Sequence, residues 1–243
     1  MTSKKQQRLH EKIRDAIERQ FADLAYFSPI PGERELCQQL GVSRPTVRKA
    51  LELLEAENKI VRMQGRGSFY TGEKIPVDYA AAGERGFGLA QMFSAEGRVT
   101  RSTVLQQVVE PARGNLAAML GVAAETLVFH LKRLRYVDEH IYAVTDDYIP
   151  LALCPELMHV DFTSSGLLRT LEAHGIHPYA EDKTIEVIHA APEIALYLKV
   201  EEQAPIFVTR ILTTDRTGRV IQYATAKADA FRSRFRVRST AKE

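Results

Sequence analysis

Apolar residues at the start of the chain keep a helical rhythm. Leu9, Ile13, Ala16, Ile17, Phe21 and Leu24 recur at spacings of three and four, which predicts a helix over about residues 6–24 with one apolar face. Phe27-Ser28-Pro29-Ile30-Pro31-Gly32 stops it, because proline and glycine punctuate helices. A second helix is predicted over Glu33–Leu40, turning Leu36, Cys37 and Leu40 inward. Gly41-Val42-Ser43 reads as a turn. A third helix begins at Arg44 or Pro45 and runs to about Glu57, with Val47, Leu51 and Leu54 on its buried face. Ser43 suits its N-cap, and proline is tolerated in the first turn, where its missing N–H would be unpaired anyway. The period then changes. Ile60–Met63 and Ser68–Tyr70, around Gln64-Gly65-Arg66-Gly67, predict a short hairpin with a glycine-rich turn.

Residues 73–85 combine mixed charge, one proline, three consecutive alanines and Gly83, and read as a linker between domains at 1–72 and 86–243. Past the linker, short helices are predicted near residues 89–96, 115–120, 166–174 and 193–198. Strands are predicted near 102–109, 126–137, 141–148, 184–189, 206–214 and 220–229. Two stretches echo each other. Leu120-Gly121-Val122 followed by Phe129 returns as Leu198-Lys199-Val200 followed by Phe207, an offset of 78 residues at each anchor. A helix–strand–turn–strand unit used twice predicts a sheet with pseudo-symmetric halves.

Composition narrows the class. The 243 residues fit two domains, and 45% hydrophobic with 26% charged residues exclude a disordered or collagen-like chain. No apolar run approaches the ~18 residues of a membrane span, and the basic N-terminus has no apolar core of a secretory signal behind it. Two cysteines, Cys37 and Cys154, form no CxxC pair, so neither a disulfide framework nor a structural zinc site is expected, and a cytoplasmic location fits. The net charge of +2 conceals a split: residues 1–72 carry +4 and residues 73–243 carry −2. A basic segment on a mildly acidic body points to nucleic acid at one end.

Helix, turn, helix and a glycine-tipped hairpin are the layout of a winged helix-turn-helix. In that geometry the third helix enters the major groove of double-stranded DNA with its N-terminal residues at base edges. That end carries Ser43, Arg44, Thr46, Arg48 and Lys49, with Arg34 at the start of the second helix. Arginine can hold guanine bidentately, while hydroxyls suit phosphates or bases. Gly65 and Gly67 flank Arg66 at the wing tip, where backbone can approach DNA closely. A solvated cationic face on a small helical bundle accounts for any one of these residues, but not for all of them at the positions this geometry needs.

The segment PGERELCQQLGVSRPTVRKALELLEAE (31–57) followed by MQGRGSFY (63–70) closely resembles the GntR family of bacterial regulators. The resemblance implies DNA contacts at Arg34, Arg44, Thr46, Arg48 and the wing Gly65. Residues 85–237 resemble the UTRA effector domain of the HutC subfamily, through Leu131–Tyr136, Asp147-Tyr148-Ile149-Pro150, Leu171-Glu172 and Gly218–Tyr223. This implies an α+β protein: a winged helix-turn-helix domain followed by a mixed α/β, chorismate-lyase-like sheet domain. It also implies a homodimer formed largely through that second domain.

The residues add a separate clue. Leu127, Phe129, Leu131, Arg133 and Arg135 alternate onto one face of a strand whose first three members are apolar. Two arginines at the end of such a stripe need compensation, because unpaired buried charge is costly. Asp147 or Glu186 would supply it internally, and a small anionic metabolite would supply it as a ligand held by guanidinium forks. The resemblance assigns this arginine pair to the effector's acidic group. Further pocket candidates are Phe87 and Gly88, whose backbone N–H groups can cradle an anion, Ser164 and Ser165, Gln222 and Tyr223, and Arg232. Gly166, Leu168 and Thr145 stand where the family has serine, tyrosine and glutamate, so no particular sugar ligand carries over. A phosphorylated or phosphonate metabolite is expected ahead of a carboxylate, since phosphate presents more acceptor oxygens.

Arg232, Arg234, Arg236 and Arg238 alternate along an expected edge strand with a solvated face. Asp146 and Asp147, adjacent on a strand, point to opposite faces. No histidine pattern, GxSxG, Walker-type or GxGxxG stretch is present, so no metal, cofactor or catalytic residue is expected. The leading expectation is a ligand-responsive transcriptional regulator, a repressor rather than an enzyme. The alternative is a chorismate-lyase-like enzyme carrying a DNA-binding arm.

Overall fold

The computed structural model describes residues 2–21, 24, 27–72, 75–78, 87–94, 97–138 and 140–237. They fall into two units, Met1–Lys74 and Ile75–Glu243.

The first unit contains α1 (Thr2–Phe21), β1 (Ser28–Ile30), α2 (Glu33–Leu40), α3 (Arg44–Ala56), β2 (Ile60–Met63) and β3 (Gly67–Tyr70). Ile17, Phe21, Leu36, Val47, Leu51 and Leu54 close over Ile30, Ile60 and Tyr70 in one core, so the helical rhythm of the sequence is the packing surface. Gly41 ends α2 with φ 63, a left-handed residue that lets α3 start three residues later. Ser43 holds the N-cap position, but its hydroxyl pairs with Thr46 Oγ1 at 2.8 Å and not with a backbone N–H. The hairpin turn places Gly65 and Gly67 at φ 75 and 103. The proline-bearing segment after α1 adds a third strand: β1 pairs antiparallel with β3 in the order β1-β3-β2. Pro29 is tolerated there because an edge strand has a side with no ladder bonds to donate.

The second unit contains β4 (Ile75–Asp78), α4 (Leu89–Ser94), β5 (Thr100–Pro111), α5 (Asn115–Leu120), β6 (Leu127–Val137) and β7 (His140–Pro150). Two 3-10 turns, Leu151–Leu153 and Pro155–His159, lead to α6 (Leu167–Ala173), β8 (Ala180–His189), α7 (Pro192–Leu198), β9 (Pro205–Thr214), β10 (Val220–Asp229) and β11 (Ser233–Arg236). Six strands form one antiparallel sheet in the order β5-β6-β7-β10-β9-β8. Read from its centre outward, that order is the same strand–helix–hairpin unit laid down twice.

The repeat extends to single hydrogen bonds. Ala112 N donates to Thr126 O at 2.8 Å, and Ala190 N to Ala204 O at 2.9 Å. Glu125 and Gln203 occupy the left-handed region at φ 63 and 65 and return bonds to Ala112 O and Ala190 O. α5 and α7 both end in left-handed C-caps, at Gly121 and Lys199.

Alternation along the strands divides the apolar residues. On one face Phe129, Leu131 and Ile149 pack beneath Leu167, Leu168 and Leu171 of α6. On the other, Leu134, Val144, Ile206 and Val208 pack against α7, and Val128 packs against α5. Leu127, expected to share the buried stripe, is 51% exposed because β6 begins there.

The linker assignment needs correction. Residues 75–78 form β4, which runs parallel to β11 with Ser233 opposite Ile75. The other linker positions, 73, 74 and 79–85, lie outside the described residues. The arginine-rich segment is a strand only over Ser233–Arg236, and it is anchored: Phe235 meets Phe207 edge to face at 4.9 Å. Arg238 lies outside the described residues.

The repeat generates a prediction. Gly121 adopts the left-handed cap freely, whereas Lys199 holds it with a Cβ in place, at a cost of about 1 kcal/mol. Lys199→Gly should stabilise the second unit and Gly121→Ala destabilise it, each by about 0.5–1 kcal/mol in chemical denaturation. Shifts of the same sign in both variants would contradict the shared cap.

Candidate functional site

Two sites stand out, one in each unit. In the first, Arg44 and Arg48 leave the N-terminal half of α3 with side chains 69% and 54% exposed. Both reach Glu33, the first residue of α2. Arg44 Nε donates to Oε2 at 2.9 Å, while Arg48 donates through Nε to Oε1 and through Nη2 to Oε2, each at 3.1 Å. The Arg48 bonds, then those of Arg44, hold Glu33 down to about 2. Its charge is therefore complete above the ordinary carboxylate value of 4.5 and is lost only as pH falls towards about 2. The carboxylate ties down two long side chains that remain largely exposed to solvent.

Lys49, one residue on, pairs with Glu52 at 3.0 Å. Arg34 is exposed on α2, and Gly65 and Arg66 are exposed at the hairpin tip. Thr46 departs from the expectation of an outward contact: it is 8% exposed and its hydroxyl is engaged with Ser43. Glu33 is the residue that sequence reasoning missed. Its partners lie 11 and 15 residues away and meet it only once the turn is folded.

The second site is a cavity of about 110 Å³ on the face of the six-stranded sheet that carries Phe129 and Leu131. Small side chains make room for it: Thr145 of β7, opposite Arg133, continues into Ala226 of β10, flanked by Ala224 and Ala228. Phe87, Gly88 and Leu168 are part of its wall. Arg133 is 4% exposed and gives Nη2 to Asp147 Oδ2 at 3.0 Å. Asp147 Oδ1 accepts Gln222 Nε2 at 2.7 Å, and Gln222 Oε1 accepts Thr213 Oγ1 at 3.1 Å. This chain crosses four strands and uses both oxygens of Asp147.

Arg135 is 7% exposed and has no hydrogen-bond or ion-pair partner among the described residues. Of the two internal acids expected to compensate the arginines, Asp147 serves Arg133, and Glu186 pairs with Arg210 at 2.7 Å. Burial, and then the neighbouring Arg133, pull the Arg135 guanidinium down to about 9, against the opposing field of Asp147. It still carries its charge at neutral pH. Arg133 Nε, Arg135 Nε and Thr145 Oγ1 are buried polar atoms without a hydrogen-bond partner. Three buried polar groups around one cavity are thus left with unused hydrogen-bonding capacity.

Of the residues named from the sequence as pocket candidates, Phe87, Gly88, Arg133, Arg135 and Gln222 line the cavity. Four expected residues do not line it. Tyr223 neighbours Gln222 on the strand and so faces the other side, where it stacks with Tyr148 at 6.5 Å. Ser164 turns to Asp161 Oδ2 at 3.5 Å, and Ser165 N donates to Asp161 O at 3.1 Å. Arg232 sits in the turn before β11, where its carbonyl accepts Ile75 N at 2.7 Å. Arg169, Glu181 and Lys183 line the cavity without having been singled out. Glu181 and Lys183 stand two apart on β8, a spacing whose meaning depends on which face of an edge strand is covered.

Asp146 points away from Asp147, as alternation requires, and binds His130 Nε2 at 3.1 Å and Lys227 Nζ at 3.0 Å. Burial would raise Asp146, but the His130 hydrogen bond and Lys227 outweigh it and hold the carboxyl below its usual value. His130 Nδ1 lies 3.0 Å from Glu110 Oε1 without the alignment of a hydrogen bond. Cys154, Glu156 and His174 bring three donor atoms within 4.8 Å of one another, but Glu156 and His174 are exposed and His174 Nδ1 is occupied by Thr170 O at 2.8 Å.

Residues 5–69 match the profile of the bacterial regulatory proteins of the gntR family, and residues 95–232 match that of the UTRA domain. The chain belongs to the GntR family, with a UTRA domain. Such a protein is a DNA-binding transcriptional regulator, and its relatives are named accordingly. The probable fructoselysine utilization operon transcriptional repressor of Escherichia coli K12 is 29% identical over 194 residues, 79% of this chain and 77% of that protein. The transcriptional repressor NagR of Bacillus subtilis is 28% identical over 197 residues, 81% of this chain and 79% of that protein. PhnF from Mycobacterium smegmatis shares the fold, with a TM-score of 0.66 at 23% identity over 95% of this chain and all of that one.

In this GntR-family chain Glu33 becomes testable. Glu33→Gln removes the negative charge beside Arg44 and Arg48 and leaves them a single neutral acceptor oxygen to share. Binding to non-operator DNA should strengthen and its salt slope should steepen by about one. Unchanged non-operator affinity would contradict the clamp.

Proposed function

We propose that this protein is a homodimeric repressor whose hold on its operator is set by a small anionic metabolite bound at Arg133 and Arg135. The observation that carries the reading is Arg135, a buried charge without a counter-ion at the wall of a cavity. An isolated buried charge is unfavourable by several kcal/mol in the ligand-free state, and an anion returns that cost as binding energy. Arg133 is already neutralised by Asp147, so Arg135 supplies most of the attraction and Arg133 Nε a directed donor. A phosphorylated or phosphonate metabolite suits the unused donors at Arg133, Arg135 and Thr145 better than a carboxylate does.

The DNA half of the reading rests on Arg34, Arg44, Arg48 and Lys49 around the start of α3, with Gly65 and Arg66 at the wing and Ser43 and Thr46 bracing the turn. The dimer is supported by the bare edge of β8, where Ile185, Val187 and Ile188 are 37%, 60% and 42% exposed. A long apolar edge strand is a pairing surface, and a second copy is its natural cover. Two-fold symmetry in the protein calls for a pseudo-palindromic operator.

Signal transfer has a physical route in β4. Val77 lines the cavity, and β4 is the first element of the second unit, following directly on residues 73 and 74. An anion drawn onto Arg135 shifts β4 and so acts on the connection to the DNA-binding unit.

Arg44→Ala or Arg48→Ala should cost about 1–3 kcal/mol per half-site in operator titrations. Unchanged affinity in both would remove α3 from the interface. Cognate anion and operator should shift each other's affinity by the same factor, about 1–3 kcal/mol. Arg135→Ala should abolish that response with operator binding intact, and a full response to a neutral ligand would overturn the anion site.

A further inference from the structure

The ionisable side chains around the cavity divide into pairs and remainders. Arg133 is paired with Asp147, and Lys183 with Glu181, whose side chain is 6% exposed. Each pair cancels its own charge. Two cations remain, Arg135 on the sheet and Arg169 on α6. Arg169 is exposed at the rim and has no hydrogen-bond or ion-pair partner among the described residues. Its stem lies over Gly166, where a Cβ would come within 3.5 Å of Arg169 Cδ. The residue without a side chain gives the arginine a bed along the cavity mouth.

We infer that Arg169 is a specificity-determining residue that matches the cavity to a doubly charged anion. The inference rests on the anion-cavity reading above and adds a choice within it. One uncompensated guanidinium satisfies a monoanion such as a carboxylate or sulfonate. Two of them, one buried and one at the rim, satisfy a phosphate monoester or a phosphonate dianion, whose three terminal oxygens can accept from both sides at once. Arg135 provides the fixed part of the field. Arg169, on a flexible stem in higher dielectric, provides a weaker part that closes over the ligand after entry. A monoanion leaves Arg169 with nothing to neutralise and gains little from it. The site therefore discriminates by charge at the rim and by direction at the floor.

Methylphosphonate and methanesulfonate separate charge from shape. They are nearly isosteric, and at mildly alkaline pH the first is a dianion while the second remains a monoanion. Calorimetric titration of the full-length protein should show methylphosphonate binding at least about fivefold more tightly. Arg169→Ala should collapse that ratio towards one, and Arg169→Lys, which keeps the charge, should retain most of it. Operator binding by each variant reports that the protein is folded. An unchanged ratio in Arg169→Ala overturns the inference. Equal binding of the two probes by the unaltered protein also overturns it while leaving the anion cavity standing. Failure of both probes to bind removes the anion cavity itself, and this inference with it.

Discussion

A buried guanidinium on the sheet of the second unit has no hydrogen-bond or ion-pair partner among the described residues. Arg135 is fixed there by strand alternation: a residue two past Arg133 on β6 must face the same side. The nearest acid is already taken, since both oxygens of Asp147 hold other donors. Opening a cavity with alanines and a threonine keeps the charge from being smothered in hydrocarbon. The rest of the unit follows from keeping that cavity open. The cross-strand chain from Arg133 to Thr213 stiffens its floor, α6 closes one wall, and β4 brings Val77 to another. A folded state that tolerates an unmatched charge is a state waiting for a ligand.

Much of this was legible from periodicity. The helices of the first unit, the hairpin and all six strands of the main sheet came from spacing alone, with ends shifted by a few residues. The repeat at 78 residues announced the two pseudo-symmetric halves of the sheet, in which Gly121 and Lys199 are equivalent caps. What stayed hidden depends on long-range pairing. β4 and β11 are short, and each is a strand only because the other lies beside it. β1 is a strand only because β3 offers an edge.

The candidate sites show the same division. Alternation put Arg133 and Arg135 on one face, and it equally places Tyr223 opposite Gln222, so naming both as pocket residues asked one strand to face two ways. Ser164 and Ser165 stand just before Gly166, which replaces the family's serine, but Asp161 holds them in a turn of its own. Glu33, Arg169 and Glu181 were not legible, since each takes its meaning from a partner or a void contributed by another element. In the first unit the lesson has a functional edge. A carboxylate that keeps its charge down to about pH 2 sets the posture of two exposed arginines in the N-terminal half of α3.

The uncompensated charge at Arg135 makes a demand that an ordinary structural arginine does not. Replacing it with a side chain of similar length and no charge should relieve the ligand-free protein. Equilibrium denaturation of Arg135→Met in anion-free buffer is the direct measurement. A gain of about 1–3 kcal/mol in stability of the second unit is expected, together with loss of the stabilisation that added anion gives the unaltered protein. A loss of stability in the variant would show that Arg135 is compensated within the fold, and the cavity would then have no unmet charge to offer a ligand.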